Sequence, residues 1–84
     1  MSLQHFRFDP GSRVREHTHP QEQIGYVFTG ELTLTVAGTE YVLGPDEIYF
    51  LESNEPHTGE NRGEEPVIGI DVFSPPREKP QWAT

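Results

Sequence analysis

Cysteine is absent from the 84 residues. No disulfide can cross-link so small a core, and zinc sites built on thiolates are excluded. A metal here must be held by histidine, carboxylate or amide groups. No stretch approaches the roughly 20 apolar residues of a membrane span, and MSLQHFRFDPG, residues 1 to 11, lacks the apolar run of a signal peptide. The expectation is a soluble, cytoplasmic protein with no membrane partner. Positive charge is scarce as well: 14 acids stand against six Lys plus Arg, for a net charge of −8. That balance repels a phosphate backbone and argues against nucleic acid as a partner. A small anionic substrate can still be held by local arginines, and Arg13, Arg15 and Arg77 are the candidates.

A long 3.6-residue periodicity is also missing, while eight glycines and eight prolines punctuate the chain. An all-β reading follows. Strands are expected at 3–8, 13–19, 23–29, 31–36, 39–43, 47–51, 57–61 and 66–73, separated by turns such as Asp9-Pro10-Gly11, Gly44-Pro45-Asp46 and Ser53-Asn54-Glu55-Pro56. The clearest hairpin is ELTLTV, Ala37-Gly38, TEYVL, with Leu32, Leu34 and Val36 on one face and Thr33 and Thr35 on the other. Many short strands at regular spacing predict a closed or two-sheet barrel occupying residues 1–74 as a single small domain. Residues 75–84 read as a Pro-rich arm that packs through Trp82 on the barrel or on a partner, with a disordered tail as the competing reading. A chain of this length buries only about 60 to 65% of its unfolded surface, so a bound metal or a second subunit would add needed stability.

Chemistry concentrates in HTHPQEQIGYVFTG, residues 17 to 30. Side chains two apart on a strand share a face, so His17 and His19 are expected to converge, with Gln23 arriving after the Pro20 turn. His57 follows an apolar strand and a tight turn, the setting of a side chain delivered to a fixed spot. Three neutral imidazoles and an amide oxygen leave a divalent ion's charge uncompensated, which strengthens it as a Lewis acid. HxH also occurs on strands by chance, and the competing reading of each histidine alone is a surface or hydrogen-bonded residue. Arg13 and Arg15 share the parity of His17 and His19, which would let them line the mouth, although solvent-facing rim charge is the safer reading. His5 is expected at the surface, and Tyr26, Phe28 and Tyr49 in the core or pocket wall.

GSRVREHTHPQEQIGYVFTG, residues 11 to 30, resembles the first motif of the cupins, matching each fixed position except an acid that is here Gln23. GPDEIYFLESNEPHTGEN, residues 44 to 61, resembles their second motif, closing on His57 and Asn61, with Asp46-Glu47 and Glu52 departing at turn positions. The resemblance implies a cupin jelly-roll barrel holding one divalent transition metal (Zn, Ni, Fe, Mn or Cu) through His17, His19, Gln23 and His57.

Within that family, HTHPQEQIGYVFTGEL together with DVFSPPRE is similar to the small pectin-degradation cupins, which linearise 4,5-unsaturated monouronates and carry Gln as the fourth metal ligand. The similarity implies that Asp71, Phe73 and Arg77 serve catalysis. Alternation agrees, because Asp71 and Phe73 share one face of a strand opposite Ile70 and Val72. An acid beside a metal suits proton transfer, and a guanidinium suits a carboxylate. For Phe73 the competing reading is core packing, and for Arg77 a solvated tail charge. Two other functions are compatible with the ligand set, a metal-dependent oxidoreductase or dioxygenase and a non-catalytic sugar- or metal-binding module. A homodimer is expected, covering an apolar face of Ile68, Ile70 and Val72 or the N-terminal strand.

Overall fold

Alternating apolar residues between closely spaced turns produce seven strands among the residues described by the computed structural model, 1–76. They are β1 (Ser2–Phe8), β2 (Glu22–Thr29), β3 (Leu32–Val36), β4 (Thr39–Leu43), β5 (Ile48–Leu51), β6 (His57–Glu60) and β7 (Val67–Ser74). One sheet has the order β1-β7-β2-β5 and the other β4-β3-β6, with every pairing antiparallel. The two sheets face each other in the all-β jelly-roll architecture expected from the strand spacing. Val27 and Val67 from the first sheet meet Leu32 from the second in a core that Phe6, Phe8, Leu43 and Tyr49 surround. Among the described residues no helix is long and apolar enough to cross a membrane.

The expected hairpin forms as read. Val36 pairs with Thr39, and Ala37 and Gly38 both take positive φ, 48° and 84°. Positive φ at both central residues is the type I′ geometry that matches strand twist. Leu32 and Leu34 point inward and are buried.

The expected strand over 13–19 is corrected. Only isolated bridges form there, Arg13 to Glu60 and His17 to His57. The first bridge advances to the second by four residues on one side and three on the other, so this stretch runs along β6 with one extra residue. Such a bulge disrupts the ladder and reverses the parity of side chains on either side of it. Val14 therefore lines the interior together with His17, while Arg13 and Arg15 are exposed. The solvent-facing rim reading of those arginines therefore holds, and the bulge is why the parity that would have let them line the mouth does not apply.

Asn61 closes the loops that flank this segment. Fully buried, it donates from Nδ2 to the Phe8 and Glu65 carbonyls and accepts at Oδ1 from the Gly63 N–H. The asparagine of the second motif thus has a structural role. Tyr26 and Phe28 are further corrections: they stack on each other with ring centroids 5.1 Å apart, and Phe28 is exposed on the outside of the first sheet. Tyr49 alone of the three lines the interior cavity. The C-terminal arm, with Arg77 and Trp82, lies outside the described residues from position 77 onward.

Candidate metal centre

The interior of the barrel opens into a cavity of about 290 Å³, at the small end of ligand pockets. Its walls carry both kinds of side chain: Phe6, Phe8 and Leu34 on one hand, His17, Gln23 and His57 on the other. Two lateral rows of the first sheet furnish much of the lining. Ser2, Phe73, Gln23 and Leu51 are cross-strand partners in one row, and Gln4, Asp71, Gly25 and Tyr49 in the next. Asp71 and Phe73 share the inward face as alternation on β7 required, and both line the cavity.

His17, His19 and His57 come together, their ligand atoms all within 4.8 Å of one another. The His17 and His57 rings are 4.4 Å apart between centroids, and those of His19 and His57 4.9 Å. Backbone pairing delivers two of them, since His17 and His57 exchange N–H···O bonds of 3.0 and 3.1 Å. Phe73 packs edge-on against His19, centroid to centroid 5.7 Å.

Each imidazole is held by the same device. His17 Nδ1 lies 2.8 Å from the Arg15 carbonyl, His19 Nδ1 2.9 Å from that of Gln21, and His57 Nδ1 2.8 Å from that of Glu55. A carbonyl only accepts, so each Nδ1 carries a proton, and in the neutral imidazole Nε2 is then left with its lone pair. Opposite the Nε2 of His19, at 3.1 Å, stands Oε1 of Gln23. Gln23 is itself buried. With the imidazole neutral these are two acceptors facing each other, a contact that a proton or a metal ion between them relieves. The donor set therefore fits a metal ion: three oriented neutral imidazoles and an amide oxygen, the polarity that binding requires. Burial also pushes the His57 imidazole below its ordinary pKa, aided by the neighbouring His17 and His19 and opposed by the Glu55 carbonyl. The neutral, ligand-competent form is favoured.

Beside this cluster Tyr49 donates its hydroxyl proton to Oδ1 of Asp71 at 2.5 Å. Burial, followed by the Asp71 charge and this hydrogen bond, holds the phenol far above its ordinary pKa. Sequence reasoning assigned Tyr49 only to a wall; the signal pointing to more was Gly25, whose place in the β2 pattern leaves room for a neighbouring ring. His5, expected at the surface, is exposed and also borders the cavity.

The chain matches the cupin domain family over residues 4–73, and it belongs to that family. Among its relatives, the tetracenomycin polyketide synthase protein TcmJ of Streptomyces glaucescens is 35% identical over 80 residues, which are 94% of this chain and 54% of that protein. The H2HPP isomerase of Bacillus subtilis is 36% identical over 64 residues, 75% of this chain and 27% of that protein. The chain thus spans about half and about a quarter of these two curated relatives. Among solved structures, KdgF from Halomonas sp. superposes with a TM-score of 0.80 at 29% identity, covering 90% of this chain and 71% of that one.

Proposed function

We propose that this cupin binds one divalent transition metal through His17, His19, Gln23 and His57 and isomerises a 4,5-unsaturated monouronate to the linear keto-uronate. The observation that carries the metal reading is the opposed pair of lone pairs on His19 and Gln23, within a group of three histidines each oriented by a backbone carbonyl. The uronate reading is supported by the similarity of DVFSPPRE to the linearising cupins, by the placement of Asp71 and Phe73 on the cavity wall beside the imidazoles, and by a name among the relatives that denotes an isomerase. A cavity of about 290 Å³ suits a single sugar ring better than a polymer.

When bound, the ion supplies positive charge that polarises substrate oxygens. The residues do the rest. Asp71 accepts a proton as the C1 hydroxyl becomes an aldehyde and the bond from C1 to the ring oxygen breaks, leaving an enolate at C5. Return of that proton from Asp71 to C4 then converts the enolate to a ketone, so no atom is gained or lost. Phe73 offers an apolar surface to the sugar ring, and Arg77 is assigned to the substrate carboxylate from the similarity alone. The reading includes a cytoplasmic setting and a dimer. Support for the dimer comes from the outside of the first sheet, where Leu3, Val72, Ile24 and Phe50 form one continuous cross-strand row and Leu3, Ile24 and Phe50 are exposed.

The test combines metal analysis of the purified protein with ultraviolet detection of unsaturated-uronate loss. Turnover that depends on metal and on Asp71 is expected; turnover that survives both a chelator and Asp71→Ala would sink the mechanism. A non-catalytic sugar- or metal-binding module is the second reading, since the three-histidine group would hold an ion without any turnover. Binding of uronate without turnover would establish it, and oxygen consumption with a phenolic substrate would instead establish an oxygenase.

A further inference from the structure

The row Asp71, Gly25, Tyr49 crosses three adjacent strands, β7, β2 and β5. For the Tyr49 hydroxyl to reach Asp71 its ring must pass over the intervening strand. Gly25 permits this: a Cβ there would lie 1.9 Å from Cζ of Tyr49 and 2.3 Å from its hydroxyl oxygen. Gln23 is the diagonal neighbour of Tyr49 on the paired strand, two residues before Gly25 on β2, and both line the cavity.

A phenol has one proton and an oxygen that accepts. Its proton goes to Oδ1 of Asp71 at 2.5 Å, and a carboxylate has none to return. A Gln23 side chain that meets the phenol oxygen must therefore be the donor, and only its Nε2 can donate. That choice settles the other end of the amide, because Oε1 then faces away from Tyr49 and toward Nε2 of His19, where it stands at 3.1 Å. The direction of one hydrogen bond dictates which atom of Gln23 the imidazole cluster meets.

We propose that Tyr49 is a positioning residue that orients the metal end of the barrel, joining the Gln23 amide to the Asp71 carboxylate so that Gln23 turns its carbonyl oxygen toward the three histidines. The inference rests on the reading of those residues as a metal site. It also accounts for an amide at position 23 where an acid is the commoner cupin residue. Glutamate has no proton to give Tyr49; it would compete with Asp71 for the phenol proton and add a second negative charge. An amide has one end that donates and one that ligates, so it needs orienting. A carboxylate has two equivalent oxygens and does not.

That asymmetry sets the experiment, in which Co(II) is titrated into the wild-type chain, Tyr49→Phe, Gln23→Glu and the double variant, followed by its visible absorption. The wild type is expected to take up one Co(II). Tyr49→Phe should weaken Co(II) binding about tenfold or more in the Gln23 protein, as loss of an orienting partner does, and change the absorption bands. In the Gln23→Glu background the same substitution should change affinity less than about twofold. Equal affinity and spectra for wild type and Tyr49→Phe, or equal losses in both backgrounds, would overturn the positioning role and leave the metal reading intact. No Co(II) uptake by the wild type would overturn both. Should Tyr49→Phe fail to fold, the side-chain amide of Gln23 in the wild type carries the test by nuclear magnetic resonance. A hydrogen-bonded, exchange-protected Nε2 proton supports the proposal, and a freely exchanging one refutes it.

Discussion

The two ends of the barrel interior are held by different forces. At one end Val27, Leu32 and Val67 are almost wholly removed from solvent, and their attraction is non-directional burial of apolar surface. At the other, His57 and Gln23 are also buried, yet there each polar group is fixed by a hydrogen bond of defined direction. The imidazoles take their partners from backbone carbonyls two residues away. Orientation at the polar end thus depends on local chain geometry, and cohesion at the apolar end on contacts between sheets. A small barrel can in this way devote half its interior to chemistry, provided the other half carries the fold.

The sharpest way to separate the two ends is to change the proposed proton-transfer group alone. Asp71→Asn is expected to lower uronate turnover by about 10²–10⁴-fold, the usual contribution of a positioned acid or base, with metal content unchanged. A steady-state assay beside metal analysis checks both. Leu32→Ala attacks the opposite end. It should cost about 2–5 kcal/mol, lowering the melting temperature by more than about 8 °C in a domain of this size, while denaturant titration reports the loss directly. Next comes pH. Because burial depresses the His57 pKa, the folded metal-free chain binds fewer protons than the unfolded chain at mildly acidic pH. This contribution to stability is present above the ordinary imidazole value of about 6.5 and is lost as pH falls below it. The gap in melting temperature between wild type and His57→Gln, both metal-free, should therefore narrow as pH falls from neutrality; a gap independent of pH would contradict it. The smallest effect lies away from both ends. Ala37 holds a positive φ that Asn tolerates better, so Ala37→Asn should raise stability by about 0.5–1 kcal/mol in thermal melts without altering metal uptake.

Much of this division was legible in the sequence, because strand alternation transmits faithfully wherever pairing is regular. Asp71 and Phe73 were placed on one inward face by parity on β7, and the Ala37-Gly38 turn by its residue types. The three histidines do converge, although not for the reason parity supplied. His17 and His19 sit on an irregular stretch, and it is the backbone pairing of His17 with His57 that assembles them. The one-residue bulge against β6 has no marker in residues 13–17, which is why alternation left Val14 out and allowed Arg13 and Arg15 a place at the mouth beside the rim reading that holds. Tyr26 and Phe28 misled for a related reason: an apolar residue on a sheet whose outer face is itself apolar carries no sign of which side it occupies. The link from Gln23 through Tyr49 to Asp71 was beyond pattern reading, since it joins three strands through a ring that only the three-dimensional register brings over Gly25.

The central claim is that the polar end of the barrel is a metal site built by three histidines and Gln23. Calorimetric titration of a divalent ion such as Zn(II) into the metal-free protein, alongside His57→Ala, tests it most directly. The wild type should bind one equivalent and release heat that His57→Ala does not reproduce. Absence of binding in the wild type, or equal binding by both proteins, would contradict it.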